Sequence, residues 1–159
     1  MEMPSYINAY LVNLVSGEVI PLITSPQGLS ESISANYNEQ TIVARSAPMI
    51  TYTDTGARGV NFNLKVHEDI LPKGYNIDSY VNAFKALVYP EYNNGNVTPP
   101  SVKLMVGTSV NVIGVPKSVN ISWDTIIFRD NRIPMASIDV SITETRKTCP
   151  GATTIRNGG

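Results

Sequence analysis

Residues 119–127 read Val-Asn-Ile-Ser-Trp-Asp-Thr-Ile-Ile, with Val119, Ile121, Trp123, Thr125 and Ile127 on every second position. Successive side chains of an extended chain point to opposite faces, so this run is a β-strand with one apolar face. Its other face carries Asn120, Ser122 and Asp124. It is the longest period-two run in the chain, and its neighbours repeat it. Ile138, Val140 and Ile142 alternate with Asp139, Ser141 and Thr143 on its C-terminal side. On the other side Val110, Val112 and Val115 flank Gly114, and Val102, Leu104 and Val106 share a face. Gly107-Thr108-Ser109, Pro116-Lys117 and the segment from Arg129 to Arg132 separate these runs, and gaps that short imply hairpins.

The N-terminal part continues the pattern. Val60, Phe62, Leu64 and Val66 alternate with Asn61, Asn63 and Lys65. Gly56-Ala57-Arg58-Gly59 lacks the spacing and the Lys-Ser/Thr of a phosphate loop and reads as a hairpin turn. Met49 to Thr53 is a short β-prone run. Between Ser32 and Arg45 the residues read as a strand, a turn at Asn38-Glu39 and a second strand. Pro26 to Glu31 is turn-rich. Ala9–Val15 and Glu18–Thr24 bracket Ser16-Gly17 as a tight hairpin, whose second strand Pro21 pushes to a sheet edge because it lacks a backbone donor.

One segment changes period. Ile77, Tyr80, Val81, Phe84, Leu87 and Val88 recur at three- and four-residue steps, which predicts a helix from Asn76 to Val88. Asn76 or Asp78 can cap it, and Pro90 ends it. Glu91 to Pro100 reads as a polar loop. The parts list is therefore many alternating strands plus one helix lying against a sheet. One domain is expected over residues 1–148, with a flexible tail over 149–159.

At 159 residues, 42% hydrophobic and 16% charged, the chain has the composition of one globular domain. Its net charge of −1 removes the general attraction to phosphate backbones and anionic lipid. The N-terminus lacks a signal-peptide pattern, and no apolar run approaches the length of a membrane span.

Chemistry-bearing residues are sparse. The single Cys149 excludes an intrachain disulfide, and the single His67 excludes multi-histidine metal sites. His67-Glu68-Asp69 places a titratable ring beside two acids, but consecutive residues at a strand end point to opposite faces, so a solvated strand end is expected. Cys149 lies beside Pro150 in the weakly patterned tail and reads as an unreactive thiol. No pair among Asp54, Glu68, Asp69, Asp78, Glu91, Asp124, Asp130, Asp139 and Glu144 is singled out by spacing. Trp123 shares its face with Val119 and Ile121, which predicts packing rather than sugar stacking. The 8 tyrosines suit a protein–protein surface. The expectation is no catalytic residue, no metal and no cofactor, in a binding or assembly module.

A family resemblance adds to this reading. Ser32-Ile33-Ser34-Ala35-Asn36-Tyr37, Ile42-Val43-Ala44-Arg45, Pro48, Tyr52, Arg58 and Val60-Asn61-Phe62-Asn63-Leu64 are followed by a helix closing on Tyr89-Pro90. Then come Pro99-Pro100, a strand reaching Gly107, Val119-Asn120-Ile121-Ser122-Trp123, Ile133-Pro134-Met135-Ala136 and Ile138 to Glu144. In this order they resemble the tube-like domain of baseplate hub proteins of contractile phage tails and related injection systems, a group often carrying a LysM module.

The resemblance implies two packed antiparallel sheets, a tail-tube-like β-sandwich or split barrel, flanked by the helix. Subunits would stand side by side in a homo-oligomeric ring, a hexamer by resemblance, contacting other tail tube, hub and baseplate wedge proteins. DNA would pass the lumen only as cargo, no membrane would be involved, and the protein would be made in the host cytoplasm and reside in the virion. No LysM segment follows Glu144, so peptidoglycan binding is not expected.

Long alternating strands expose unpaired backbone groups at an edge unless another chain covers them. Val110, Val112, Val119, Ile121, Trp123 and Ile127 are accordingly the candidate subunit contacts. The alternative is a carbohydrate- or receptor-binding β-sandwich, with Trp123 and the tyrosines as stacking surfaces.

Overall fold

A computed structural model describes residues 9–23, 26–125, 130–146 and 151–158. Its strands, in chain order, are β1 (Ala9–Asn13), β2 (Val19–Pro21), β3 (Gln27–Ser32), β4 (Ala35–Gln40), β5 (Met49–Thr55) and β6 (Gly59–His67). A short 3-10 turn (Glu68–Ile70) and helix α1 (Ile77–Ala86) follow. The remainder comprises β7 (Glu91–Asn93), β8 (Asn96–Thr98), β9 (Val102–Val106), β10 (Val110–Trp123), β11 (Met135–Glu144) and the exposed α2 (Ala152–Arg156) in the C-terminal tail.

The fold is mainly β, as the alternation predicts. A seven-stranded antiparallel sheet has the order β2-β1-β9-β10-β11-β6-β3, and β4-β5 and β7-β8 form two small two-stranded sheets. The large sheet is open rather than closed into a barrel. Its two halves share β10. Val110–Gly114 pair with β9, and Gly114–Trp123 pair with β11. Pro21 lies, as its missing donor requires, in the edge strand β2.

The inward residues of both halves meet in one buried cluster. Leu11, Ile20, Leu104 and Val112 come from one half and Val60, Phe62, Leu64, Ile138 and Ile142 from the other, with Tyr80, Val81 and Phe84 supplied by α1. The helix stands where its period places it. Asn76 accepts from the Ser79 N–H at 2.8 Å, and the Ser79 hydroxyl accepts from the Asn76 N–H at 3.0 Å. That reciprocal cap satisfies two of the donors a helix start leaves free. The Tyr80 hydroxyl, carried inside on this helix, donates to the Pro21 carbonyl at 2.7 Å. Burial raises its pKa well above the ordinary phenol value.

Several segments differ from the sequence expectation. Pro116-Lys117 is a bulge inside one continuous strand rather than a hairpin gap, because β10 exchanges one neighbour for the other near this point. Gly114 marks the exchange: a Cβ there would meet the Thr143 carbonyl oxygen, so only glycine fits. The turn expected at Asn38-Glu39 is absent. β4 runs through both residues and the chain reverses over residues 41–48, since a hairpin solvated on both faces carries no burial pattern to mark its turn. Pro26 to Glu31 forms most of β3, whose Gly28 at φ 59° and shifted register absorb the turn-forming residues as a bulge. Gly56-Ala57-Arg58-Gly59 joins strands of two different sheets instead of turning a hairpin. Glu91 to Pro100 contains the hairpin β7-β8, turning at Asn94-Gly95 with φ 47° and 81°.

Candidate functional site

The half-sheet β10-β11-β6-β3 turns its polar residues outward in rungs. Ser118, Ser141, Asn61 and Ser30 lie across from one another, as do Asn120, Asp139, Asn63 and Gln27, and then Ser122, Ser137 and Lys65. These positions alternate with the buried apolar set, so the period-two pattern alone produces the polar face. Asn63 Nδ2 donates to Ser137 Oγ at 2.8 Å and to Asp139 Oδ1 at 2.6 Å, tying β6 to β11 on this face. A shallow depression of about 420 Å³ opens here, lined by Gln27, Asn61, Asn63, Ser118, Asn120 and Asp139 among others. No aromatic ring offers a stacking platform in it: Phe62 is buried in the core.

Both sides of this half-sheet end in open strands. Among the described residues no strand pairs with β10 on the side away from β11 beyond Gly114, where β9 stops. Among the same residues no strand pairs with β3 on the side away from β6. Val119, Ile121 and Trp123 are partly buried against the core and partly open along the first edge. Val110 and Val112 are buried. Of the six candidate contacts, these two are therefore closed to a neighbour, since β9 pairs with their backbone, and Ile127 lies outside the described residues.

One end of the half-sheet is pinned by charge. Arg58 Nη2 meets Glu144 Oε1 at 3.0 Å, Arg58 Nη1 meets Glu31 Oε1 at 3.5 Å, and Arg146 Nε meets Glu144 Oε2 at 2.9 Å. The cluster joins β3, β11 and the entry to β6. At the other end Arg132 Nη2 meets Glu68 Oε1 at 2.9 Å. Neither network follows from sequence spacing, since Arg58 and Glu144 are brought together only by the pairing of β6 with β11.

His67 does not sit beside Glu68 and Asp69 as a base with an orienting acid. Its Nδ1 accepts from the Asp69 N–H at 3.2 Å and caps the 3-10 turn. That engaged lone pair leaves the same nitrogen no proton to donate to the Asp69 carboxylate 3.4 Å away while the cap is made. Among the described residues no group of three or more His, Cys, Asp or Glu is placed to hold a metal, and no helix is long and apolar enough to cross a membrane. Cys149 and Tyr6 lie outside the described residues.

Sequence reading overlooked one exposed feature. Sheet β4-β5 contributes no buried residue and projects from the β3-β6 edge as an arm with exposed Tyr37, Ile50 and Tyr52. The alternation of Tyr37 with Asn38 and of Ile50 and Tyr52 with Thr51 is the only signal that could have disclosed its face.

Compared with known protein families and with curated proteins, the sequence matches none. Among solved structures it is similar to the sheath/tube terminator in the extended state, from a cryo-EM structure of an extracellular contractile injection system (PVC). Identity is 14% over 92% of this chain and 94% of that one, with a TM-score of 0.41.

Proposed function

We propose that the chain is a structural ring component of a contractile phage tail or related injection particle, without catalysis of its own. The observation that carries this reading is the pair of open edges on opposite sides of β10-β11-β6-β3. Antiparallel pairing alternates strand direction, so β3 runs opposite to β10. Set beside β10 of an identically oriented copy, β3 continues the sheet with antiparallel pairing. The two edges are unlike, which makes the contact head-to-tail, and such contacts close into rings where the rotation permits. Ring closure also removes exposed edges.

The outward polar rungs then line the inner wall. They carry Asp139 and Lys65 among neutral Asn and Ser, a surface on which DNA can pass without being held. By the family resemblance, the proposed position of the ring is the hub, between the tail tube or spike and the surrounding baseplate, and the proposed number of copies is six. Trp123 packs partly on the core and does not line the depression, which gives the saccharide-binding alternative less support.

Light scattering with negative-stain imaging tests the reading. Wild-type protein is expected to give rings of uniform diameter. Ile121→Pro, which removes a backbone donor from the open side of β10, is expected to abolish them. Ser122→Lys on the polar face should leave the monomer folded while changing the charge of the wall. Normal tails assembled without this protein would sink the proposal.

A further inference from the structure

The arm has two unlike faces. Tyr37 lies opposite Tyr52 and Glu39 opposite Ile50, so these four share one face. Asn38, Thr51, Gln40 and Met49 share the other. The two tyrosine rings meet edge to face at 5.8 Å, and the Tyr52 hydroxyl lies 2.7 Å from that of Thr55. Although ordered by these contacts, Tyr37, Ile50 and Tyr52 are 58%, 58% and 55% exposed. A two-stranded ribbon is marginal in water without a partner for its apolar face.

A second apolar face lies on the half-sheet β2-β1-β9-β10. With Leu11, Leu104 and Val112 pointing inward, the alternate residues Tyr10, Val12, Met105 and Ile113 point outward, and Lys103 stands between Val12 and Ile113. Among the described residues Lys103 is the one charge on this face, as Glu39 is on the arm's. Neither is in an ion pair with another described residue. The surfaces match in polarity and are opposite in charge.

Their levels in the fold match too. Ser32, Gly59, Thr143 and Val115 form one rung across the half-sheet. The arm leaves β3 just beyond Ser32. If β3 adjoins β10 of another copy at that rung, the arm continues past Val115 of that copy, where β9 covers the side of β10.

We propose that the arm of one copy packs its Tyr37, Ile50 and Tyr52 face on the outward face of β1, β9 and β10 of a second copy of this chain, with Glu39 against Lys103. The contact rests on the self-association proposed above and names its surfaces.

Paired cysteines test it. The full chain carrying Cys149→Ser, Glu39→Cys and Lys103→Cys is oxidised at concentrations where light scattering reports oligomers. A ladder of intermolecular disulfides that collapses with reductant is expected. Asn38→Cys in place of Glu39→Cys, on the opposite arm face, is expected to reduce the ladder many-fold. In a parallel series Glu39→Lys should weaken association several-fold, and adding Lys103→Glu should restore it. Oligomers without the ladder, an intrachain disulfide alone, or equal cross-linking from position 38 would overturn the arm contact and leave the ring reading standing. A chain that stays monomeric at its highest soluble concentration would overturn both.

Discussion

Strands β3 and β6 continue directly into β4 and β5, and the two stretches of ribbon differ in what lies beside them. In β6 every second residue from Val60 to Val66 is buried, while β4 and β5 bury none. Both stretches alternate apolar with polar residues. Alternation therefore specifies a face, and only a neighbour makes that face a core. For β6 the neighbours are β11 and β3 beside it and the buried cluster beneath; for the arm the described residues supply none.

The contrast is breakable by substitution. Phe84→Ala, in the cluster beneath the sheet, is expected to cost roughly 3–5 kcal/mol, read by chemical denaturation. An unchanged midpoint would mean that α1 does not complete the core. The Tyr80 hydroxyl gives a smaller effect with a pH signature. Its pKa is raised by burial, so the folded state holds the proton more tightly than the unfolded chain. Stability from this source is complete below about pH 10 and declines as pH rises above that value, where the unfolded phenol ionises. Tyr80→Phe should cost about 1 kcal/mol at neutral pH through the lost bond to Pro21, and should flatten the alkaline decline. Tyr52→Ala on the arm is expected to change monomer stability by less than about 0.5 kcal/mol. A loss there as large as that of Phe84→Ala would erase the distinction between the two regions.

What could be read from sequence follows the same division. Where one face is buried, as in β6, β9, β11 and α1, periodicity located the element and named its inward residues. Tyr80, Phe84 and Leu87 are all buried as their spacing requires. Where both faces meet water, the pattern misplaced the turn in the arm and hid the β7-β8 hairpin. It also divided β10 at Pro116-Lys117, because a proline beside a lysine reads as a turn whether the chain reverses or only bulges. The assembly surface was legible in part. The polar rungs follow from alternation, whereas the open edges depend on β9 ending opposite Gly114, a matter of pairing between distant segments. Burial of Val110 and Val112 has the same origin, since both lie where β10 still has β9 beside it.

The sharing of β10 between two half-sheets also sets an order of events during synthesis. One half needs β1, made near the start of the chain, and β9; the other needs β6, β3 and β11. Both need β10 but use different stretches of it, so the first ladder can close once Gly114 has left the ribosome, and the second only after β11 has followed. Until β11 is made, the inward side chains of β6 have neither that strand nor the finished core to cover them. Contacts that span so much of the chain close slowly. The strand that unites the halves thus meets its first partner while the chain is still being made and its second only near the end of synthesis.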